Sequence, residues 1–193
     1  MKAKWIIVAL ILGGAAGALL YWHPWGASEL ESLMARANRG DATAECQAGK
    51  LFAEGIVVPL DKQAAREWFA KSAEQGDAEA QYRLAEIYEI GRGVPADYEK
   101  SFHWFQESAR RGYALAQTSL GMAYQLGEGV EHDYIEAYKW LELAVQNGDT
   151  NAVISRSDLT VAMRPSEIIE ARRRAADYSK TAPPRGKAVS HSP

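Results

Sequence analysis

Residues 112–147 read GYALAQTSLGMAYQLGEGVEHDYIEAYKWLELAVQN, and residues 76–111 read GDAEAQYRLAEIYEIGRGVPADYEKSFHWFQESARR. Aligned end to end, the two stretches share a set of columns. Gly40, Gly76, Gly112 and Gly148 stand 36 residues apart. So do Gly55, Gly91 and Gly127, the valines Val58, Val94 and Val130, the aspartates Asp61, Asp97 and Asp133, and the tryptophans Trp68, Trp104 and Trp140. A fixed period in this range marks a stacked repeat architecture.

Each column has a physical reading. Ala80, Leu84 and Tyr88 are spaced four apart, as are Ala116, Leu120 and Tyr124, which makes one apolar stripe on a first helix. Gly91 and Gly93 end that helix, because glycine accepts the left-handed backbone such a stop requires. Val94 plugs the gap between the two helices. Asp97 sits where the second helix needs a carboxylate for its orphan N–H groups. Trp104, Phe105 and Ala109 point inward from that second helix, and the small Ala85 and Gly121 permit close helix approach. A single helix pair leaves a face unburied, so the units must stack.

The pattern resembles the Sel-1-like repeat family, a branch of the tetratricopeptide-type solenoids. Ala116-Gln117, Leu120-Gly121, Tyr124, Gly127, Gly129-Val130, Asp133, Ala137 and Trp140 carry the resemblance, and it extends from residue 40 to about 175. In the first unit Val57 replaces the second turn glycine and Phe52 the tyrosine, which predicts a distorted turn. The resemblance implies an all-α solenoid of stacked antiparallel helix pairs with a concave ligand-binding groove. It implies envelope adaptors, periplasmic regulators, assembly factors and toxin-neutralising immunity proteins as relatives.

The full organisation expected is as follows. Residues 1–23 form a signal-anchor or transmembrane helix, or a signal peptide. Residues 24–39 are a linker and an N-terminal capping helix, whose apolar side is Leu30, Leu33, Met34 and Ala37. Residues 40–178 hold the repeats 40–75, 76–111 and 112–147, then C-terminal capping helices in which Pro165 opens the last. Residues 179–193 are a disordered tail without apolar periodicity.

At the N-terminus Lys2 and Lys4 precede an uncharged run from Trp5 to Trp22. As a helix it measures about 27 Å, near the thickness of the hydrocarbon core. Ala16-Gly17-Ala18 offers a cleavage site, but Leu19 to Trp22 continue the apolar run and suit an interface. Both readings place the residues after His23 across a bacterial inner membrane, in the periplasm. One leaves a single-pass anchor and the other a soluble periplasmic or secreted protein. Gly13 and Gly17 offer a weak homodimer through that helix.

Charge and chemistry narrow the function. From His23 to Met163 there are 13 Lys/Arg against 22 Asp/Glu, and from Arg164 to Pro193 there are 7 against 3. An acidic body argues against nucleic acid, whose phosphates need neutralising. His23, His103, His132 and His191 have no metal-ligand spacing, and the lone Cys46 reads as a small buried apolar residue. GRGV and GEGV lack the Lys-Ser/Thr of a phosphate loop. No catalytic, metal or cofactor residues are expected, and the chain is read as a non-enzyme. The expected activity is to bind a partner protein in the groove, at first-helix residues that packing leaves over: Gln47, Lys50, Tyr82, Arg83, Glu86, Ser119 and Met122. An immunity or inhibitor protein acting on a periplasmic toxin or enzyme is the alternative, and a cell-wall glycan-binding or enzymatic component the third.

Overall fold

The computed structural model describes residues 27–182. The expected leader 1–23 and the residues beyond 182 lie outside that range. The described residues are all-α, without strands, in the order α1 Ala27–Ala37, α2 Ala42–Glu54, α3 Lys62–Glu74, α4 Ala78–Ile90, α5 Tyr98–Arg110, α6 Ala114–Leu126, α7 Tyr134–Gln146, α8 Asn151–Ala162 and α9 Pro165–Thr181. None of these helices is long and apolar enough to cross a membrane. The chain divides into two compact units, residues 1–72 and 73–193.

In the first unit, α1 buries Leu33 and Ala37 against Ala44 and Ala48 of α2, with Met34, Leu51 and Trp68 at the edge. Asp41 caps α2 by accepting the Ala44 N–H at 3.1 Å. The fully buried Ser72 donates its hydroxyl to the Ala42 carbonyl at 2.7 Å, clipping the end of α3 to the start of α2. Cys46 is buried, as expected of a small apolar residue. The α2–α3 turn keeps two bonds that recur in later turns, Gly55 N–H to Leu51 and Asp61 N–H to Phe52. The later turns add Arg92 N–H to Ile87 and Glu128 N–H to Ala123, for which the first turn has no counterpart among the described residues. The turn that carries Val57 thus lacks one bond that the later turns make.

In the second unit, Asp77 caps α4, Asp97 caps α5 and Asp133 caps α7, each through side-chain acceptance of N–H groups two or three residues on. Gly91 and Gly127, with φ of 73° and 75°, close α4 and α6. Leu84, Phe105, Leu120 and Leu141 are sealed from solvent. Complete burial of each such side chain contributes about 1.5–3 kcal/mol. Trp140 is buried as expected, and Trp104 packs half-buried on the cluster around Phe105 and Leu120.

Two buried polar columns complete the joints. Ser108 donates to the Ala78 carbonyl at 2.6 Å and so repeats the clip made by Ser72. Gln81 and Gln117 each reach back with Nε2 at 3.1 Å to the carbonyls of Ala73 and Ala109, tying a first helix to the second helix before it. Such bonds satisfy backbone groups at helix ends that burial would otherwise leave unpaired.

The last helix runs past the expected end at residue 178. The Ser179 and Thr181 hydroxyls return to the carbonyls of Ala175 and Asp177, and Lys180 pairs with Asp177, so this turn is held by local polar bonds. Apolar periodicity, which the sequence reading relied on, is not required there.

Gly121 lets α6 and α7 touch. A Cβ at this position would lie 2.8 Å from Leu141 Cγ and 3.0 Å from the Ala137 carbonyl oxygen. Gly121→Val should therefore destabilise the fold by about 1–3 kcal/mol through overpacking. Urea unfolding checks this, and an unchanged midpoint would mean the helices separate freely.

Candidate functional site

Packing uses part of each first helix and leaves one stripe open. In α4 this stripe is Glu79, Arg83, Glu86 and Ile90; in α6 the same columns hold Leu115, Ser119, Met122 and Leu126. Steps of four, three and four residues keep such positions on one side of a helix. The two stripes differ in chemistry. Leu115, Met122 and Leu126 are 41%, 43% and 61% exposed. The α4 stripe is charged until it ends in Ile90, also exposed.

The charged stripe is internally braced. Arg83 Nη1 donates to Glu86 Oε2 at 3.2 Å, and Nη2 lies 3.8 Å from Glu79 Oε1. The other Glu86 oxygen accepts from the Tyr82 hydroxyl at 3.1 Å. Arg83 Nε is buried without a hydrogen-bond partner. The Tyr82 ring packs 5.7 Å from Phe105 and 5.3 Å from Tyr113, centroid to centroid. Burial pushes the Tyr82 phenol above its ordinary value, with the Glu86 charge adding to it.

A second acid group adjoins the stripe. Burial, followed by the charges of Glu128 and Glu86, raises the Glu89 carboxyl above its ordinary value. Glu86 and Glu89 lie on α4, and the charge of Glu128, from the α6–α7 turn, also bears on Glu89. No group of His, Cys, Asp and Glu suited to a metal ion occurs among the described residues.

The residues expected from sequence divide accordingly. Arg83 and Glu86 stand together on α4, and Ser119 and Met122 lie on the matching α6 stripe. Tyr82 is half-buried and turned toward Tyr113 of the following unit, where it orients Glu86. Gln47 is exposed and Lys50 half-buried on α2, in the first unit. Leu115, Leu126, Ile90, Glu89 and Glu128 were not singled out from the sequence. Extending the open stripe by one turn in each direction would have found the first three. Glu128 bears on Glu89 only through its charge, from the turn of the following repeat.

The Sel1 repeat pattern matches residues 42–77, 78–113 and 114–149. This chain belongs to the Sel1 repeat family. A solved Sel1 repeat protein from Oxalobacter formigenes is 32% identical, with a TM-score of 0.64 over 67% of this chain and 98% of its own. Two further structures share the fold. A protective antigen of uropathogenic Escherichia coli strains, c5321, is 22% identical, with a TM-score of 0.53 over 85% of this chain and 45% of its own. The cysteine rich protein B of Helicobacter pylori is 21% identical, with a TM-score of 0.52 over 64% of this chain and 93% of its own. No curated protein matches the sequence. Sel1 repeats support binding of another protein as the general activity of this chain.

The raised Glu89 carboxyl has a stability consequence with a definite sign. The folded state favours its protonated form, so this contribution is present at low pH and lost as pH rises through the folded value. Glu89→Gln should unfold at higher urea than the parent at pH 7, and the gap should close near pH 4. Urea titrations at both pH values test this; equal midpoints at pH 7 would show that the ionised Glu89 carboxyl carries no penalty in the fold.

Proposed function

We propose that this Sel1 repeat protein is a non-catalytic scaffold of the bacterial cell envelope that holds a segment of a partner protein against the open stripes of α4 and α6. The observation that carries the reading is the pairing of an acidic stripe with an apolar one in the same columns. Polar contacts fix orientation while exposed aliphatic side chains supply burial, and residues of the Tyr and Arg type often anchor such contacts. The segment it fits presents apolar residues toward Leu115, Met122 and Leu126, and Lys or Arg toward Glu86, Glu89 and Glu128. Cationic and apolar groups in alternation would relieve the acid repulsion and cover the aliphatic stripe together.

The envelope part of the reading is supported by the apolar run from residue 5 to 22 behind Lys2 and Lys4. A tether there raises the effective concentration of the scaffold near membrane-bound partners, which favours a binder of modest affinity. A periplasm-dependent reporter fused after Pro193 should be active; an inactive fusion in cells that make the protein would reverse the orientation.

Photo-crosslinkable residues at positions 86 and 122 test the binding face in living cells. Both should capture the same partner, identified by mass spectrometry, while the exposed His103 on α5 should not. Glu86→Lys should reduce capture from position 122 by about tenfold, in line with loss of a buried charge pair of about 1.4 kcal/mol. Equal capture from position 103, or none from 86 and 122, would move the binding site elsewhere.

A further inference from the structure

The α2–α3 turn differs from the two later turns in what it shows to solvent. Ile56 and Leu60 are 58% and 59% exposed. In the units that follow, the column of Ile56 holds Arg92 and Glu128, and the column of Leu60 holds Ala96 and His132. Two bare aliphatic side chains therefore stand where the later turns carry charged, small or polar ones. They share one small loop. The Leu60 Cβ lies 2.8 Å from where a Cβ on Gly55 would stand, which folds Leu60 back beside the start of the turn. The Asp61 N–H, bonded to the Phe52 carbonyl at 3.0 Å, closes that loop.

The path of the chain assigns this turn to one end of the first unit. Helices α1 and α2 bury Leu33, Ala37, Ala44 and Ala48 in one cluster and are joined by residues 38–41 alone. So short a connector returns α2 antiparallel to α1. The two helices have 11 and 13 residues, a rise of about 16 and 20 Å. The start of α1 therefore lies at the same end as the close of α2, beside the turn that carries Ile56 and Leu60. The apolar run ends at Trp22 and α1 begins at Ala27. That stretch of chain reaches at most about 18 Å. An anchor in residues 5–22 thus holds this end of the first unit within that distance of the bilayer.

We infer that the α2–α3 turn is a membrane contact, with Ile56 and Leu60 dipping into the boundary between lipid headgroups and acyl chains. The inference rests on the reading of residues 5–22 as an anchor that stays in the membrane. Aliphatic side chains leave water at that boundary as the apolar faces of interfacial segments do. The exposed Lys62 follows the pair, and its aliphatic stem lets the ammonium reach the phosphate layer. Glu29 and Glu54, exposed at the same end, stay on the aqueous side. The contact is therefore shallow, and it is driven by the aliphatic pair rather than by lipid charge. A lipid surface is the occupant because the anchor delivers it to this end at short, fixed range, which raises its effective concentration above that of any free partner. The contact sets α1 and α2 on end above the bilayer, with the 38–41 connector farthest from it.

The test uses the full chain in phosphatidylcholine vesicles, in a Cys46→Ala background, with single cysteines carrying an environment-sensitive fluorophore. Labels at Ile56→Cys and Leu60→Cys should lose emission when lipids with a nitroxide near the headgroup are included. A label at Asn38→Cys, about 16 Å up α1, should not. Leu60→Asp should abolish the quenching at position 56, and Ile56→Asp that at position 60. The melting curve should stay unchanged, because both side chains are exposed in the fold. A label at Leu12→Cys reports the anchor separately. Quenching at 12 without quenching at 56 and 60 would overturn the contact and leave the anchor standing. No quenching at any of the three would overturn both. Blue-shifted emission at 56 and 60 without lipid quenching would mean that a second copy of the chain covers the turn, and would overturn the lipid as occupant.

Discussion

Close approach of two helices within each hairpin is the constraint on which the rest of this structure rests. Gly49, Ala85 and Gly121 share one column, and each is buried where the second helix crosses. A larger side chain at Gly121 would meet the carbonyl of Ala137, a backbone atom that cannot turn aside. Because the helices touch, the serine at the end of one can reach the first carbonyl of the other, as Ser72 and Ser108 do. Because the hairpins of the second unit stack, Gln117 can reach the preceding helix end. Small residues set the distance, and the buried polar columns then hold helix ends that would otherwise carry unpaired groups.

The candidate binding face is found by subtraction. Once capping, turn closure, helix contact and unit contact have taken their columns, one stripe per first helix remains. Its residues vary from unit to unit because packing does not constrain them. In α4 they are charged and braced by ion pairs; in α6 they are aliphatic. Under the proposed function, this variation is what makes a generic array specific. The same subtraction leaves Ile154 and Val161 exposed on α8, while α9 packs on α7.

Much of this was legible from the residues in order. The glycine, aspartate and tryptophan columns announced the period, the caps and the turns, and Asp97 and Asp133 cap the helices they were expected to cap. The serine and glutamine columns were equally present but unread, because serine or glutamine in a helix has many solvent-facing uses and only contact reveals a buried one. Tyr82 and Arg83 are neighbours in the chain, so they were assigned together. A step of one residue turns about 100° around a helix, and that step separates a residue facing the next unit from one on the open stripe. The end of α9 was missed for a related reason, since hydroxyl-to-carbonyl bonds in its last turn leave no apolar signature.

By itself the sequence determined the repeat period, the all-helical class and the positions of caps and turns. These are local properties: each depends on residues a few positions apart, whose backbone preferences and spacing suffice. Only the tertiary structure decided which polar side chains are buried, that the charge of Glu128 bears on Glu89, and that α9 packs on α7 and leaves α8 open. Those outcomes depend on contacts between residues 30 or more positions apart, such as Ser108 with Ala78 and Arg174 with Glu136. A periodic pattern states that units stack. It does not state how the last one is finished, because the final unit has no following repeat to repeat the pattern against.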